Sequence, residues 1–177
     1  DIMNSWFAGT VTNTSAANQQ YVGGFVAFGY AKSVDITNCL NTGTIDVSAC
    51  TGGNYPFASG ILAYARCETT ITSCLNAGEI IVNDAMTDIT YGALVGYIYG
   101  SGIVVDISNS YTDSNQCAAV CGYNSGSTTF TVNDTAIGTY AKSKNLVIDG
   151  VSITDNVTGE AAKTGFANLD FDKYWTV

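Results

Sequence analysis

The 177-residue sequence contains no histidine. Histidine is the general base of Ser-His-Asp and Cys-His nucleophilic systems, and with cysteine it is the usual ligand of a protein zinc ion. Its absence excludes those catalytic systems and the usual zinc site of a metalloprotease. The Cys-x₂-Cys spacing of structural zinc sites is also missing. We therefore expect no catalytic residues, no metal and no other cofactor.

Charge is scarce as well, since charged residues make up only 12% of the chain, against roughly 25% in an ordinary globular domain. Six Lys and Arg stand against 15 Asp and Glu, and the formal net charge is −9. Nucleic acids and anionic membranes both need a basic surface, so neither is an expected partner. No apolar run reaches the roughly 18 residues of a membrane span, and the first residues do not resemble a signal peptide. We expect a segment of a longer protein that does not insert into a membrane.

A nine-residue pattern occurs twice in the middle of the chain. Residues 37–45 read Thr-Asn-Cys-Leu-Asn-Thr-Gly-Thr-Ile, and about 35 positions later residues 72–80 read Thr-Ser-Cys-Leu-Asn-Ala-Gly-Glu-Ile. Partial copies occur at 4–11 and 108–113. Periods of roughly 20–50 residues are typical of solenoids and other repeat arrays.

A second element, a strand of small apolar residues, precedes the copies in the same order. Hydrophobic and polar residues then alternate, as in Val34-Asp35-Ile36, which predicts half-buried strands. The Asn and Gly residues of 41–43 and 76–78 predict corners with left-handed backbone angles. One repeat cannot bury its own apolar face, so the repeats must stack into an all-β parallel β-solenoid of about four rungs. The small-residue strands lie at 23–30, 59–64, 91–97 and, in a weaker form, 118–124.

Residues 23–28 and 92–97 resemble the GLUG repeat, whose consensus is close to Gly-Gly-Leu-Val-Gly. Residues 38–43 are similar to the corner that follows in that family, with Leu40 in the usual Tyr position, and residues 165–177 resemble its closing Asp-Phe…Trp segment. The resemblance implies a right-handed parallel β-helix in large bacterial surface proteins. Such repeats occur in adhesin-like proteins and beside the catalytic part of IgA-cleaving metalloproteases. The family has no general catalytic residues, so none is transferred.

The resemblance covers about residues 4–125 as repeats and 160–177 as a closing segment. Residues 126–159 match nothing and have two interpretations, a cap or a binding insertion. We predict solenoid repeats over residues 1–125. Residues 126–177 are expected to form a degenerate last rung and a C-terminal cap of the same domain.

The six cysteines have separate interpretations. Cys39 and Cys74 occupy the same repeat position, and directly stacked parallel neighbours rarely have disulfide geometry, so an inward-facing pair of free thiols is favoured. Cys50 and Cys67 flank the second small-residue strand and have the alternative of a disulfide across an inserted loop. An even number of cysteines permits disulfides in an extracellular chain without requiring them.

Few carboxylates are grouped. Asp170 and Asp172 share one face if they lie on a strand, which keeps open a β-helix polysaccharide hydrolase or lyase with acidic catalysis. A polar edge in a terminal cap is the favoured interpretation. Asp84, Asp88 and Asp113 follow no known calcium-loop spacing, and solvated turns are favoured over a calcium site.

Tyrosines are the remaining candidates for recognition, because tyrosine offers contact area and a polar tip at low entropic cost. The residues expected at strand ends or in loops are Tyr21, Tyr55, Tyr91, Tyr97, Tyr99 and Tyr111.

These observations favour a non-catalytic binding or adhesion module of a secreted or surface-anchored bacterial protein. The expected partner is a host protein such as immunoglobulin or mucin, or a glycan; immunoglobulin follows only from the resemblance. An inert spacer and an acidic polysaccharide hydrolase or lyase are the alternatives.

Overall fold

The computed structural model describes residues 1–51, 56–86, 88–113, 117, 119–133, 136–141, 145–148 and 151–153. Every regular element in these ranges is a β-strand, and almost all strand pairs are parallel. None of the described residues forms a helix of the length and hydrophobicity that crossing a bilayer requires. The prediction of an all-β parallel solenoid is confirmed.

Strands of successive turns pair in five ladders, which are numbered here from the small-residue strands onward, in the order in which each turn passes through them. Ladder I contains the small-residue strands, and it shares its last two long strands with ladder II. The ladder I strands are Val26–Gly29, Leu62–Ala65, and the first parts of Val95–Ser108 and Cys121–Asn133. The ladder II strands are Ile2–Met3, Ser33–Thr37, Glu68–Thr72 and the second parts of the same two long strands.

Ladders III to V complete the turn with shorter strands. Ladder III consists of Trp6–Phe7, Leu40–Asn41, Leu75–Asn76, Tyr111–Asp113 and Ala136–Ala141. Ladder IV consists of Thr10–Thr12, Thr44–Asp46 and Glu79–Ile81. Ladder V consists of Gln20–Gly23, Pro56–Ser59 and Thr90–Gly92.

The register shows that the last turn is short. Ile36 pairs with Ile71, Ile71 with Ile107 and Ile107 with Val132, which are separations of 35, 36 and 25 residues. In the described ranges the last turn has no strand in ladders IV and V. The sequence predicted about four rungs, and the solenoid has about three full turns followed by this shorter one.

The interior is filled by stacked columns of like residues. Ile36, Ile71 and Ile107 are completely buried, and Cys39 and Cys74 are buried in the same cluster. All six cysteines are free thiols, so the predicted inward thiol pair is confirmed and Cys50 and Cys67 form no disulfide. A hydrogen bond to Cys39 and burial both raise the pKa of Cys74 well above its usual value, which keeps that thiol protonated.

The predicted corners were wrong by three residues. Four residues with left-handed backbone angles form a column in the turn between ladders II and III. They are Asn4, Asn38, Ser73 and Asn109, with φ of 51°, 53°, 54° and 49°. Asn and Ser are short enough to accept this conformation, and Asn does so most readily.

Asn41 and Asn76 instead point into the core, where the Asn41 Nδ2 donates to the Asn76 Oδ1 at 2.6 Å. The glycines that follow them are required by close packing. A Cβ on Gly78 would lie 2.3 Å from the Gly43 carbonyl oxygen of the neighbouring turn. The Asn-x-Gly motif is thus an interior contact between turns and not a corner.

Beyond residue 120, the strand Cys121–Asn133 runs across the predicted boundary between residues 125 and 126. Ala136–Ala141 adds a parallel strand to ladder III and then pairs antiparallel with Asn145–Ile148. Val151–Ile153 extends this antiparallel pairing. Asp170, Asp172 and the predicted closing segment lie outside the described residues.

Candidate binding face

One aromatic residue recurs at the same position of ladder I in every turn. Phe28, Tyr64, Tyr97 and Tyr123 are register partners on successive strands. Their rings stack with centroids 4.9, 5.2 and 5.7 Å apart and planes within 13° of each other. The last ring, Tyr123, is 57% exposed, so the column lies on the outside of the solenoid.

A second aromatic column on ladder V interleaves with the first. Tyr21 pairs with Phe57, and their ring centroids are 5.6 Å apart. Across the columns, the Tyr21 ring lies 4.9 Å from Phe28 and the Phe57 ring lies 4.7 Å from Tyr97. The column ends at Thr90, the register partner of Phe57 in the next turn. A small side chain therefore stands where a third ring would be.

A third column borders ladder I on its other side and contains Tyr30, Arg66 and Tyr99. Arg66 is the single arginine of the chain. Its backbone N–H donates to the Gly29 carbonyl at 2.9 Å, which places its side chain between the two tyrosines. The guanidinium carbon lies 5.4 Å from the Tyr30 ring centroid and 5.6 Å from that of Tyr99. Both distances are within the range of cation–π attraction.

We call the three columns together the aromatic face. It consists of Tyr21, Phe28, Tyr30, Phe57, Tyr64, Arg66, Tyr97, Tyr99 and Tyr123.

Two grooves run over the aromatic face and meet at Arg66 and Tyr99. The larger has a volume of about 630 Å³, and Gln19, Asp88 and Thr90 contribute polar groups to its walls. The smaller, of about 500 Å³, continues between the corners that contain Ser101 and Ser127. Both volumes fall in the roughly 300–1,000 Å³ range of ligand sites.

The electrostatics of the aromatic face rest on Arg66. Burial raises the pKa of Tyr64, an effect that the nearby Arg66 charge partly offsets, so the phenol stays neutral and able to donate a hydrogen bond. Within the described part of the chain, no carboxylate forms an ion pair with Arg66. The guanidinium is therefore held in place by rings and not by an opposite charge.

The structure brings only some of the sequence-predicted tyrosines together. Tyr21, Tyr97 and Tyr99 belong to the aromatic face. Tyr91 is half-buried against a hydrophobic cluster that includes Val22, Ile45 and Ala58. Tyr111 begins the strand Tyr111–Asp113 and so lies at a strand end as predicted, but it is only 4% exposed, and its expected accessibility was wrong. Tyr55 lies outside the described residues.

Sequence reasoning missed Phe28, Tyr30, Phe57, Tyr64, Arg66 and Tyr123. The sequence does contain a signal for the ladder I column, because an aromatic residue lies at or near the end of each copy of the small-residue strand motif. Comparing the copies position by position finds Phe28, Tyr64, Tyr97 and Tyr123. Arg66 and its two tyrosines are not alike in residue type, and only the register reveals them.

The acidic residues that the structure describes do not form a comparable site. Asp84 and Asp88 are exposed, and Asp88 lies on the wall of the larger groove. Among the described residues, no three metal-binding side chains are grouped together.

No protein-family model, curated protein or solved structure matches this chain. The relation to the GLUG repeat stays a prediction that rests on the motifs at residues 23–28, 38–43 and 92–97.

Proposed function

We propose that this chain is a non-catalytic binding module and that the aromatic face is its recognition surface. The observation that carries the proposal is the meeting of two stacked aromatic columns with a third column, in which the single arginine lies between two tyrosines, along two joined grooves. Contiguous exposed aromatic surface on a soluble protein marks an interaction site.

The side chains of the aromatic face are suited to binding because they are already ordered. Each ring of the ladder I column is held by stacking neighbours from the adjacent turns, so little conformational entropy remains to be lost on binding. Tyrosine and arginine are also the residue types, with tryptophan, that contribute most to binding energy at interfaces.

The biological setting that we propose is a secreted or surface-anchored bacterial protein. The ligand class is a host protein, such as immunoglobulin or mucin, or a glycan. The low charge, the repeat array and the resemblance to GLUG repeats support this setting. A polar but weakly charged surface is common among extracellular β-proteins.

The proposal is tested by binding of the purified chain to arrayed immunoglobulins, mucins and glycans. The variants are Tyr99→Ala and Tyr123→Ala, which remove exposed rings from the junction of the two grooves and from the larger groove. Trp6→Ala is the matched control, since Trp6 is 69% exposed but belongs to ladder III, outside the aromatic face. We expect a saturable hit that both tyrosine variants weaken and that Trp6→Ala leaves unchanged.

Two results would contradict the proposal. A folded chain that binds nothing on the arrays would favour an inert spacer. Turnover of a polysaccharide that is lost in Asp170→Asn or Asp172→Asn would favour the acidic hydrolase or lyase.

A further inference from the structure

Arg66 is presented with its hydrogen-bonding edge available. The guanidinium is planar, and it contacts Tyr30 from the preceding turn and Tyr99 from the following turn. Cation–π contacts use the flat faces of the group, whereas its five N–H donors lie in its plane. No described residue accepts a hydrogen bond from these donors. An ordered, unpaired fork of this kind matches the two oxygens of a carboxylate.

The position of Arg66 links the two grooves. Arg66 and Tyr99 line both of them, so one extended ligand can lie over about 630 Å³ on one side and about 500 Å³ on the other. Its acidic group would then lie next to Arg66.

The remaining polar groups suit hydroxyls and not further anions. Gln19 and Thr90 both donate and accept hydrogen bonds, and the Asp88 carboxylate accepts them but repels negative charge. Apart from Arg66, Lys32 is the only Lys or Arg side chain in the described ranges, and the chain as a whole carries a net charge of −9. A ligand with a negative charge on every unit is therefore disfavoured.

We infer that the aromatic face binds a glycan in which a single carboxylate-bearing sugar is joined to neutral sugars, with Arg66 receiving the carboxylate. This inference rests on the proposed function, because it names the ligand class of the same site. Hydroxyl-rich neutral sugars fit the polar groove walls and the tyrosine hydroxyls. The single acidic group fits the single unpaired cation.

The test is calorimetric titration of the chain with sialyllactose, which carries one carboxylate and neutral sugars. The matched neutral probes are its methyl ester, which removes only the charge, and lactose. We expect saturable binding of sialyllactose and an affinity lower by about tenfold to a hundredfold for the ester, as for the loss of a hydrogen-bonded charged pair.

Variants assign the effect to Arg66. Arg66→Gln is expected to reduce sialyllactose affinity as much as esterification does, and the ester is expected to bind wild type and Arg66→Gln alike. Arg66→Lys keeps the charge but loses the planar fork, and we expect an intermediate affinity. Lys32→Gln is the control, since it removes one charge from a residue that lines neither groove. Circular dichroism checks that each variant is folded; Arg66 is exposed, so its replacement should not disturb the fold.

The inference is overturned if sialyllactose does not bind, if its ester binds equally well, or if Arg66→Gln has no effect. Tighter binding of a trigalacturonate or a sulfated lactose would also overturn it. If one of these results accompanies an array hit, whether a neutral glycan or a protein, that Tyr99→Ala weakens, the carboxylate assignment fails while the proposed function stands. If no array ligand binds at all, both fail.

Discussion

The second turn of the solenoid and its last turn share the path through ladders I and II, yet their strands differ in burial. Every residue of Leu62–Ala65, the ladder I strand of the second turn, is buried. No residue of Cys121–Asn133 in the last turn is buried to that degree, although many of its side chains are register partners of buried ones. The second turn has a complete turn on each side, and the last one has a complete turn on one side only.

The difference shows that burial in this fold comes from stacking and not from the strand itself. In a solenoid each repeat contacts only its neighbours. The same residue type at the same ladder position therefore contributes different amounts to the free energy of unfolding in different turns. Its contribution depends on which turn carries it. We therefore expect the same kind of substitution to change the free energy of unfolding by different amounts in an enclosed turn and in a turn at the end of the solenoid.

The largest difference is expected along the ladder II isoleucine column. The Ile71 side chain is 0% exposed to solvent, whereas Val132, which occupies the same column in the last turn, is 41% exposed. Ile71→Ala is expected to reduce the free energy of unfolding by about 2–5 kcal/mol through lost burial and a residual cavity. Val132→Ala is expected to change it by no more than about 0.5 kcal/mol. Urea unfolding of both variants measures the difference, and equal losses would contradict the dependence on stacking.

A smaller difference is expected along the glycine column of ladders III and IV. A Cβ on Gly43 would lie 2.3 Å from the Gly9 carbonyl oxygen and 2.6 Å from the Phe7 ring, whereas a Cβ on Gly9 meets only that ring, at 3.5 Å. Gly43→Ala is expected to cost about 1–3 kcal/mol from overpacking.

Gly9→Ala, which introduces the same methyl group at the same column position, is expected to leave stability almost unchanged. Thermal unfolding of the two variants makes the comparison. A large loss in Gly9→Ala would show that backbone conformation, and not the neighbouring turn, requires glycine in this column.

The ladders of the three full turns were predictable because each turn repeats its residue types. The period of about 35 residues placed Cys39 over Cys74 and indicated the small-residue strands that became ladder I. A pattern of residue types does not specify which atoms meet between turns, however. This is why Asn41 and Gly43 were assigned to a corner, when the asparagine is an interior side chain and the glycine a close contact.

The short last turn and the aromatic face were harder to predict for related reasons. Among the described residues between Asp113 and Cys121 there is no strand of ladders IV or V, and the sequence of this turn retains only a degraded motif. Strand register alone places Arg66 between Tyr30 and Tyr99. A search for repeated residue types does not align an arginine with tyrosines, so it does not predict this contact. The aromatic column of ladder I was predictable from the sequence, yet only Tyr97 was identified, because tyrosines were sought at strand ends and in loops and the copies were not compared position by position.

The column of left-handed corners continues to the entrance of the last turn. The Asn109 backbone N–H donates to the Asn133 carbonyl oxygen at 3.1 Å, and its φ is 49°. Asn109→Ala is expected to cost about 1 kcal/mol, because a Cβ without a compensating side-chain hydrogen bond is disfavoured in this conformation. Asn109→Gly relieves that cost and should be close to wild type. Urea midpoints of the two variants give the measurement; equal losses would assign the effect to the asparagine side chain instead.

The last comparison concerns Cys121, the one cysteine that is only half-buried. Burial raises the pKa of its thiol from the usual 9.0 to about 12, against a lowering by its hydrogen bond to the Tyr123 carbonyl. The folded chain therefore keeps this proton while the unfolded chain releases it above about pH 9. The stabilisation is complete below pH 9 and is lost as the pH rises towards 12.

Tyrosines titrate in the same range, so the informative quantity is the difference between wild type and Cys121→Ser, which has no titrating thiol. Urea unfolding at pH 8 and pH 10.5 should show a steeper alkaline loss in wild type than in the serine variant. Equal slopes would mean that solvent reaches the Cys121 thiol freely, and that the last turn is packed even less closely against ladder I than its exposed strand indicates.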